Sequence, residues 1–230
     1  PYSVVVDGEV AANVSVNRTD FVLDGEKKRF IQLGTVMTDE RYRGRGMIRR
    51  LMVEVERDCA GKADGVYLFA NDTVLDFYPK FGFRRAAEIR YARALEPGGA
   101  ASAVRVPMRD RDSWDRLTAV IRSSAPCGCF SLCGNTGLPL FYVSKFMQDC
   151  VYRVAPETYA VAELEDGVLH LHAVYAEKQP APEAVARAFG GAVRRVQLGF
   201  TPLDTTGWEA ETVREDDAAL FVRGAGFRDF

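Results

Sequence analysis

The feature that most restricts the fold is a hand-over between residues 29 and 60. An apolar run from Arg29 to Thr38 (RFIQLGTVMT) passes through Arg41-Tyr42-Arg43-Gly44-Arg45-Gly46 into Met47 to Ala60 (MIRRLMVEVERDCA). In the last stretch Met47, Ile48, Leu51, Met52 and Val55 fall on one helical face. A strand delivered to a helix through a glycine loop calls for mixed α/β (α+β) architecture. The helix start offers unpaired N–H groups and partial positive charge, which suits a pyrophosphate. Gly44 and Gly46 admit backbone conformations that side chains block and let an anion come close. Arg41, Arg43 and Arg45 add charge around the same point. The plainer alternative is a tight turn carrying solvated arginines.

Strands surround this unit. Residues 3–6 and 9–17 form a hairpin through Asp7-Gly8, and a second turn lies at Asp24-Gly25. Gly34, inside the strand over 29–38, marks a bulge or a close backbone approach. After the helix, capped at Gly61, residues 65–70 (GVYLFA) form a strand, 72–80 a helix ending near Pro79 and Gly82, and 83–94 a closing strand.

Residues 96–107 are a linker by composition, 112–123 a helix capped by Asp112 or Ser113, and 126–139 a loop. From residue 140 the order of elements partly repeats: strands near 150–154 and 158–164, a hairpin at Asp166-Gly167 into 168–176, a helix at 182–189, and strands at 193–199 and 219–223. Where the glycine loop should recur, the chain reads Glu177-Lys178-Gln179-Pro180. A degenerate second copy is therefore expected to shape or support a site without binding cofactor. The domain reading is 1–95, a linker and helix over 96–139, and a second unit over 140–230. The chain enters strand-like sequence directly at Pro1 and leaves it just before Phe230, so missing pieces are expected at both ends.

Composition narrows the function. A net charge of −2 over 230 residues leaves no broad basic field, which argues against nucleic acid as a partner. No apolar run approaches the ~20 residues of a membrane span, and no signal peptide is visible. Five cysteines in no regular framework read as free thiols of a cytoplasmic protein. Cys127, Cys129 and Cys133 cluster, but structural zinc takes four ligands in paired spacings, so no metal is expected. His170 and His172 share a strand face, either as ordinary polar residues or as part of a substrate pocket.

Two ordered stretches carry a family resemblance. Arg41-x-x-Gly44-x-Gly46, between an apolar strand and an apolar helix, resembles the acetyl-CoA signature of the GNAT (Gcn5-related N-acetyltransferase) superfamily. Asn71, then Phe77-Tyr78, then Gly82-Phe83 resembles its second signature. The resemblance covers about residues 3–94; the strand and two helices that usually open the family's domain have no counterpart here. It implies a mixed, mostly antiparallel central sheet flanked by helices. With the second half included, the chain is similar to bacterial two-unit GNAT proteins.

The resemblance further implies that the strands before and after the glycine loop part to admit the pantetheine arm. Val36, Met37 and Thr38 would then line pantetheine, Arg41, Tyr42, Arg43, Gly44, Arg45, Gly46 and Met47 would cradle the pyrophosphate, and Asn71 would hold the arm or its neighbouring backbone. Tyr78 matches a tyrosine that serves as general acid to the departing thiolate; otherwise it is a core tyrosine with its hydroxyl at the rim. The expected activity is transfer of acetyl from acetyl-CoA to a primary amine on a small molecule or peptide. No general base is legible: Gln32 stands near where some relatives carry a carboxylate, and Asp39 and Glu40 read as capping or solvated charges. A non-catalytic acyl-CoA-binding or sensing module is the alternative.

Overall fold

The computed structural model describes residues 1–96, 98–213, 218–224, 226 and 227; Phe230 lies outside these. The fold is mixed α+β, built on two mostly antiparallel sheets. The chain divides into two compact units, each discontinuous in sequence: Pro1–Phe21, Lys27–Glu88 and Val213–Phe230 form the first, Val22–Glu26 and Ile89–Thr212 the second.

In the first unit, β1 (Tyr2–Val6) pairs antiparallel with β2 (Glu9–Leu23), and β3 (Glu26–Thr38) follows. The expected turns between them form: Asp7 and Gly8, like Asp24 and Gly25, both have positive φ, the geometry that matches the twist of a hairpin. Helix α1 (Met47–Cys59) crosses over to β4 (Gly65–Ala70), which lies parallel to β3. Leu51, Met52, Val55 and Cys59 of α1 are buried against Ile31, Leu33 and Leu68 in one core. Two further strands, β5 (Arg84–Arg85) and, later in the chain, β14 (Ala219–Arg223), complete the order β1-β2-β3-β4-β14-β5.

The second unit repeats this plan. Its strands are β6 (Glu88–Ala94), β7 (Val104–Arg105), β9 (Val151–Ala155), β10 (Thr158–Glu165), β11 (Val168–Tyr175), β12 (Arg195–Leu198) and β13 (Glu209–Val213), in the order β13-β6-β12-β11-β10-β9-β7. Strands β9, β10 and β11 form an antiparallel meander, α4 (Pro182–Arg187) crosses over, and β12 lies parallel to β11. In each sheet the strand beyond the parallel pair comes from the opposite end of the sequence: β14 pairs with β4, and β6 with β12.

Several sequence expectations are corrected. Residues 72–80 form tight turns and no α-helix: Val74 N–H bonds Asn71 O, Phe77 N–H bonds Val74 O and Lys80 N–H bonds Phe77 O, each three residues back. Pro79, lacking an N–H, cannot extend an α-helical ladder there. Residues 83–94 are two strands, because the chain leaves β14 after Ala86 N–H bonds Leu220 O at 2.9 Å. The helix α2 (Arg111–Ser123) is capped by Asp110, whose carboxylate accepts from Ser113 N–H at 2.8 Å, and not by Asp112 or Ser113. Residues 126–139, expected as loop, hold β8 (Phe130–Cys133) and the start of α3 (Gly137–Phe146). Asn135 Oδ1 accepts from Leu138 N–H at the head of α3, a turn of chain that its Gly and Pro residues disguise.

Candidate functional site

Strands β3 and β4 pair only from Phe30 opposite Gly65 to Leu33 opposite Leu68, although β3 runs on to Thr38 and β4 to Ala70. The parallel pair therefore opens after Leu33 and Leu68, leaving backbone donors and acceptors of residues 34–38 without a partner from β4. Thr35 sits at the opening with φ 47°, a left-handed conformation that is an outlier for a β-branched residue. Its carbonyl accepts from the Nδ2 of buried Asn13 at 3.0 Å, and the Asn13 Oδ1 accepts from Ser3 Oγ at 2.8 Å. The irregularity expected at Gly34 thus falls one residue later. Beyond it Val36 packs on the core, Met37 is exposed and Thr38 is half-buried.

Asp39 pins the end of β3, its N–H bonding Ala11 O at 2.9 Å. Its carboxylate accepts from the Arg41 N–H, from Arg41 Nε and from Arg41 Nη2. Glu9 takes the same Nη2 at 2.7 Å. The Arg41 side chain holds the Asp39 carboxyl down to a pKa of about 2, and Asp39 raises that of Arg41 in return. Of the three arginines around the loop, Arg41 is thus engaged by two carboxylates and Arg43 faces Glu40 at 3.2 Å. Arg45 lies over the Tyr42 ring, 5.1 Å from its centroid, and no carboxylate pairs with it among the described residues.

Gly44 and Gly46 have φ 76° and 72°. Gly46 precedes Met47 as the cap of α1 without a capping side chain, and the first turn holds no acidic residue. The first intrahelical bond runs from Arg50 N–H to Gly46 O at 3.2 Å. A Cβ on either glycine would meet nothing within 4 Å, so the space over the loop is open. An uncapped helix start facing open space can receive an anion through its N–H groups.

The second signature lies at the end of β4. Asn71 Oδ1 accepts from the N–H and from the Oγ1 of Thr73, fixing the turn that follows the strand. Tyr78 is buried, its ring 5.3 Å from Phe77, 5.8 Å from Phe221 and 6.2 Å from Phe83. Burial raises its pKa above the usual 10.0. Among the described residues no side-chain oxygen is both buried and unpartnered and no protein group bonds this hydroxyl, so it reaches solvent. The packing of Phe221 on Tyr78 joins residues far apart in sequence and had no local signal.

Gln32 is half-buried opposite Tyr67 in the paired stretch of β3 and β4. His172 Nε2 lies 2.9 Å from Glu163 Oε2, and His170 Nδ1 lies 3.2 Å from Gln197 Nε2. All five cysteines are free thiols, and no group of three His, Cys, Asp or Glu side chains among the described residues is arranged to hold a metal. No helix among those residues is long and apolar enough to cross a membrane.

A family model for the acetyltransferase (GNAT) domain matches residues 2–86. No curated protein matches the chain. Among solved structures, Eis1 from Mycobacterium abscessus superimposes with a TM-score of 0.60 at 16% identity, covering 95% of this chain and 62% of that one. A GCN5-related N-acetyltransferase from Kribbella flavida gives 0.55 at 20% identity, covering 97% and 59%. A protein of unknown function from Enterococcus faecalis V583, described as a probable N-acyltransferase, gives 0.53 at 15% identity, covering 96% and 61%. At these identities the likeness is one of fold, and the chain spans about three fifths of the length of these structures.

Proposed function

We propose, from the match of residues 2–86 to the acetyltransferase (GNAT) domain model, that the protein transfers an acetyl group from acetyl-CoA to a primary amine of a small molecule or peptide. The observation that carries this reading is the opening of β3 from β4 directly before an uncapped, glycine-led helix start. The free backbone edge at Val36, Met37 and Thr38 suits the amides of a pantetheine arm. The loop from Arg41 to Met47 suits a pyrophosphate, held by backbone N–H groups and the charge at the start of α1. Arg41 serves there as a clip for the loop, tied to Asp39 and Glu9, while Arg45 is the arginine left to face an anion. Asn71 orders the turn that leads to Tyr78.

In this reading the acceptor nitrogen attacks the thioester carbonyl directly, the C–S bond breaks, and Tyr78 delivers its proton to the sulfur. A buried phenol whose pKa is raised keeps that proton at neutral pH, and its hydroxyl needs no protein partner to be released from. The strained backbone at Thr35 lies beside the opening, where an N–H can steady the oxyanion. The proton lost by the amine leaves through water or through a group outside residues 2–86. The absence of a carboxylate at Gln32 favours, as a second reading, an acyl-CoA-binding module without catalysis. Screening amines for acetyl-CoA-dependent CoA release separates the two: turnover with any amine supports the enzyme, and tight CoA binding with no turnover across the screen supports the module.

A further inference from the structure

The second unit contains the same opening, already filled. Strands β11 and β12 pair from Val168 opposite Arg195 to Leu171 opposite Leu198, and β11 continues to Tyr175. On the side where the strands part lies the segment from Ser124 to Cys129. Ala125 N–H bonds Ala176 O at 2.9 Å, and Cys129 N–H bonds Thr201 O at 3.1 Å, so the segment bonds the chain just beyond β11 and just beyond β12. Gln179 Nε2 fastens it by donating to Ala125 O at 2.7 Å. A Cβ on Gly128 would lie 2.2 Å from Thr201 O, which shows how closely the segment fits. The chain itself thus takes the place that a pantetheine arm would need.

Beside this segment remains a cleft of ≈ 820 Å³ within the second unit, a size typical of small-molecule pockets. Its walls are largely apolar: Ile121, Pro126, Leu138, Val143, Val161 and Ala173 contribute. Arg122 and His172 line it, and among the described residues no Asp or Glu does. His172 is engaged by Glu163, whereas Arg122 is exposed and pairs with no carboxylate among the described residues. An anion finds Arg122 in this cleft, whereas Glu163, the carboxylate bonded to the lining residue His172, is already engaged there.

We propose that the cleft of the second unit binds an apolar small molecule bearing a carboxylate, with the apolar body against Val143 and Ala173 and the carboxylate at Arg122. Its lining belongs to the second unit, whereas the proposed acetyl-CoA site is built from residues of the first. Calorimetry on the full chain with decanoate and with decylamine, without acetyl-CoA, tests it. Decanoate is expected to saturate one site, with decylamine at least about tenfold weaker. Arg122→Gln, at an exposed position, should weaken decanoate about tenfold. Ala173→Trp should abolish its binding by filling the cleft, and Gly46→Val should leave it unchanged. Absence of saturable decanoate binding, equal binding of decylamine, or unchanged decanoate affinity in both Arg122→Gln and Ala173→Trp would overturn the proposal.

Discussion

Asp39 receives Arg41 through two parallel hydrogen bonds, from Nε to Oδ1 at 3.0 Å and from Nη2 to Oδ2 at 2.9 Å. The same carboxylate caps the backbone turn between β3 and the glycine loop. The pair fixes the course of the chain from the end of the opened strand to the helix start. Asp39→Asn removes the charge and one prong of the fork. CoA affinity measured by calorimetry is expected to fall several-fold, because the loop must then be ordered on binding.

The Asp39 pair also has a pH signature. Its folded pKa is depressed from 3.8 to about 2. A depressed carboxyl contributes stability above its unfolded pKa and loses it as pH falls through the folded value. The difference in melting temperature between wild type and Asp39→Asn should therefore be full above pH ~4 and shrink towards pH ~2. A difference that stays constant across this window would mean that the charge of Asp39 contributes nothing to folding.

Gly46 combines a left-handed backbone with open space above it, and two substitutions separate these properties. Gly46→Val forces a β-branched residue into that conformation, at a cost of roughly 1–2 kcal/mol in stability, and also occupies the space over the loop. Gly46→Asn tolerates the conformation and occupies the same space. Urea melts should show a loss for Val and little for Asn, while calorimetry should show CoA binding weakened at least about tenfold in both. CoA affinity unchanged in Gly46→Val would remove the loop from the site.

How much of this was legible in sequence follows from the range of the interactions. The Asp-Gly hairpins, α1 and β4 are set by neighbouring residues, and their patterns stand out. The glycine loop is equally local. The break between β5 and β6 is not, because no turn residue separates Arg84–Arg85 from Glu88–Ala94 and the two are divided by which sheet each joins. Helix α3 was hidden by Gly137 and Pro139 in its first turn, positions where such residues do not stop a helix. The carboxylate partner Glu9 of Arg41 and the segment at Ser124–Cys129 depend on contacts between distant parts of the chain, for which a single sequence carries no signal.

The filled opening in the second unit bears on stoichiometry. CoA is expected to bind once per chain, with Gly46→Val removing that one event. Gly128→Ala should not create a second site. Its methyl group would press on Thr201 O, and overpacking of this kind costs about 1–3 kcal/mol, readable in urea denaturation. A titration with two equivalent CoA sites would contradict both the placement of the segment and its role.

Tyr78 offers the most direct test of chemistry. Its ring packs among Phe77, Phe83 and Phe221, and no protein group among the described residues bonds its hydroxyl. Tyr78→Phe therefore keeps the packing and should melt close to wild type. If the hydroxyl protonates the departing thiolate, turnover should fall by about 100- to 10,000-fold with CoA affinity nearly unchanged. Burial raises the phenol's pKa, so any fall in the wild-type rate from its ionisation should lie above the ordinary phenol range, an alkaline limb that Tyr78→Phe should lack. Wild-type turnover by Tyr78→Phe on an accepted amine would assign the proton to water and leave Tyr78 as a packing residue.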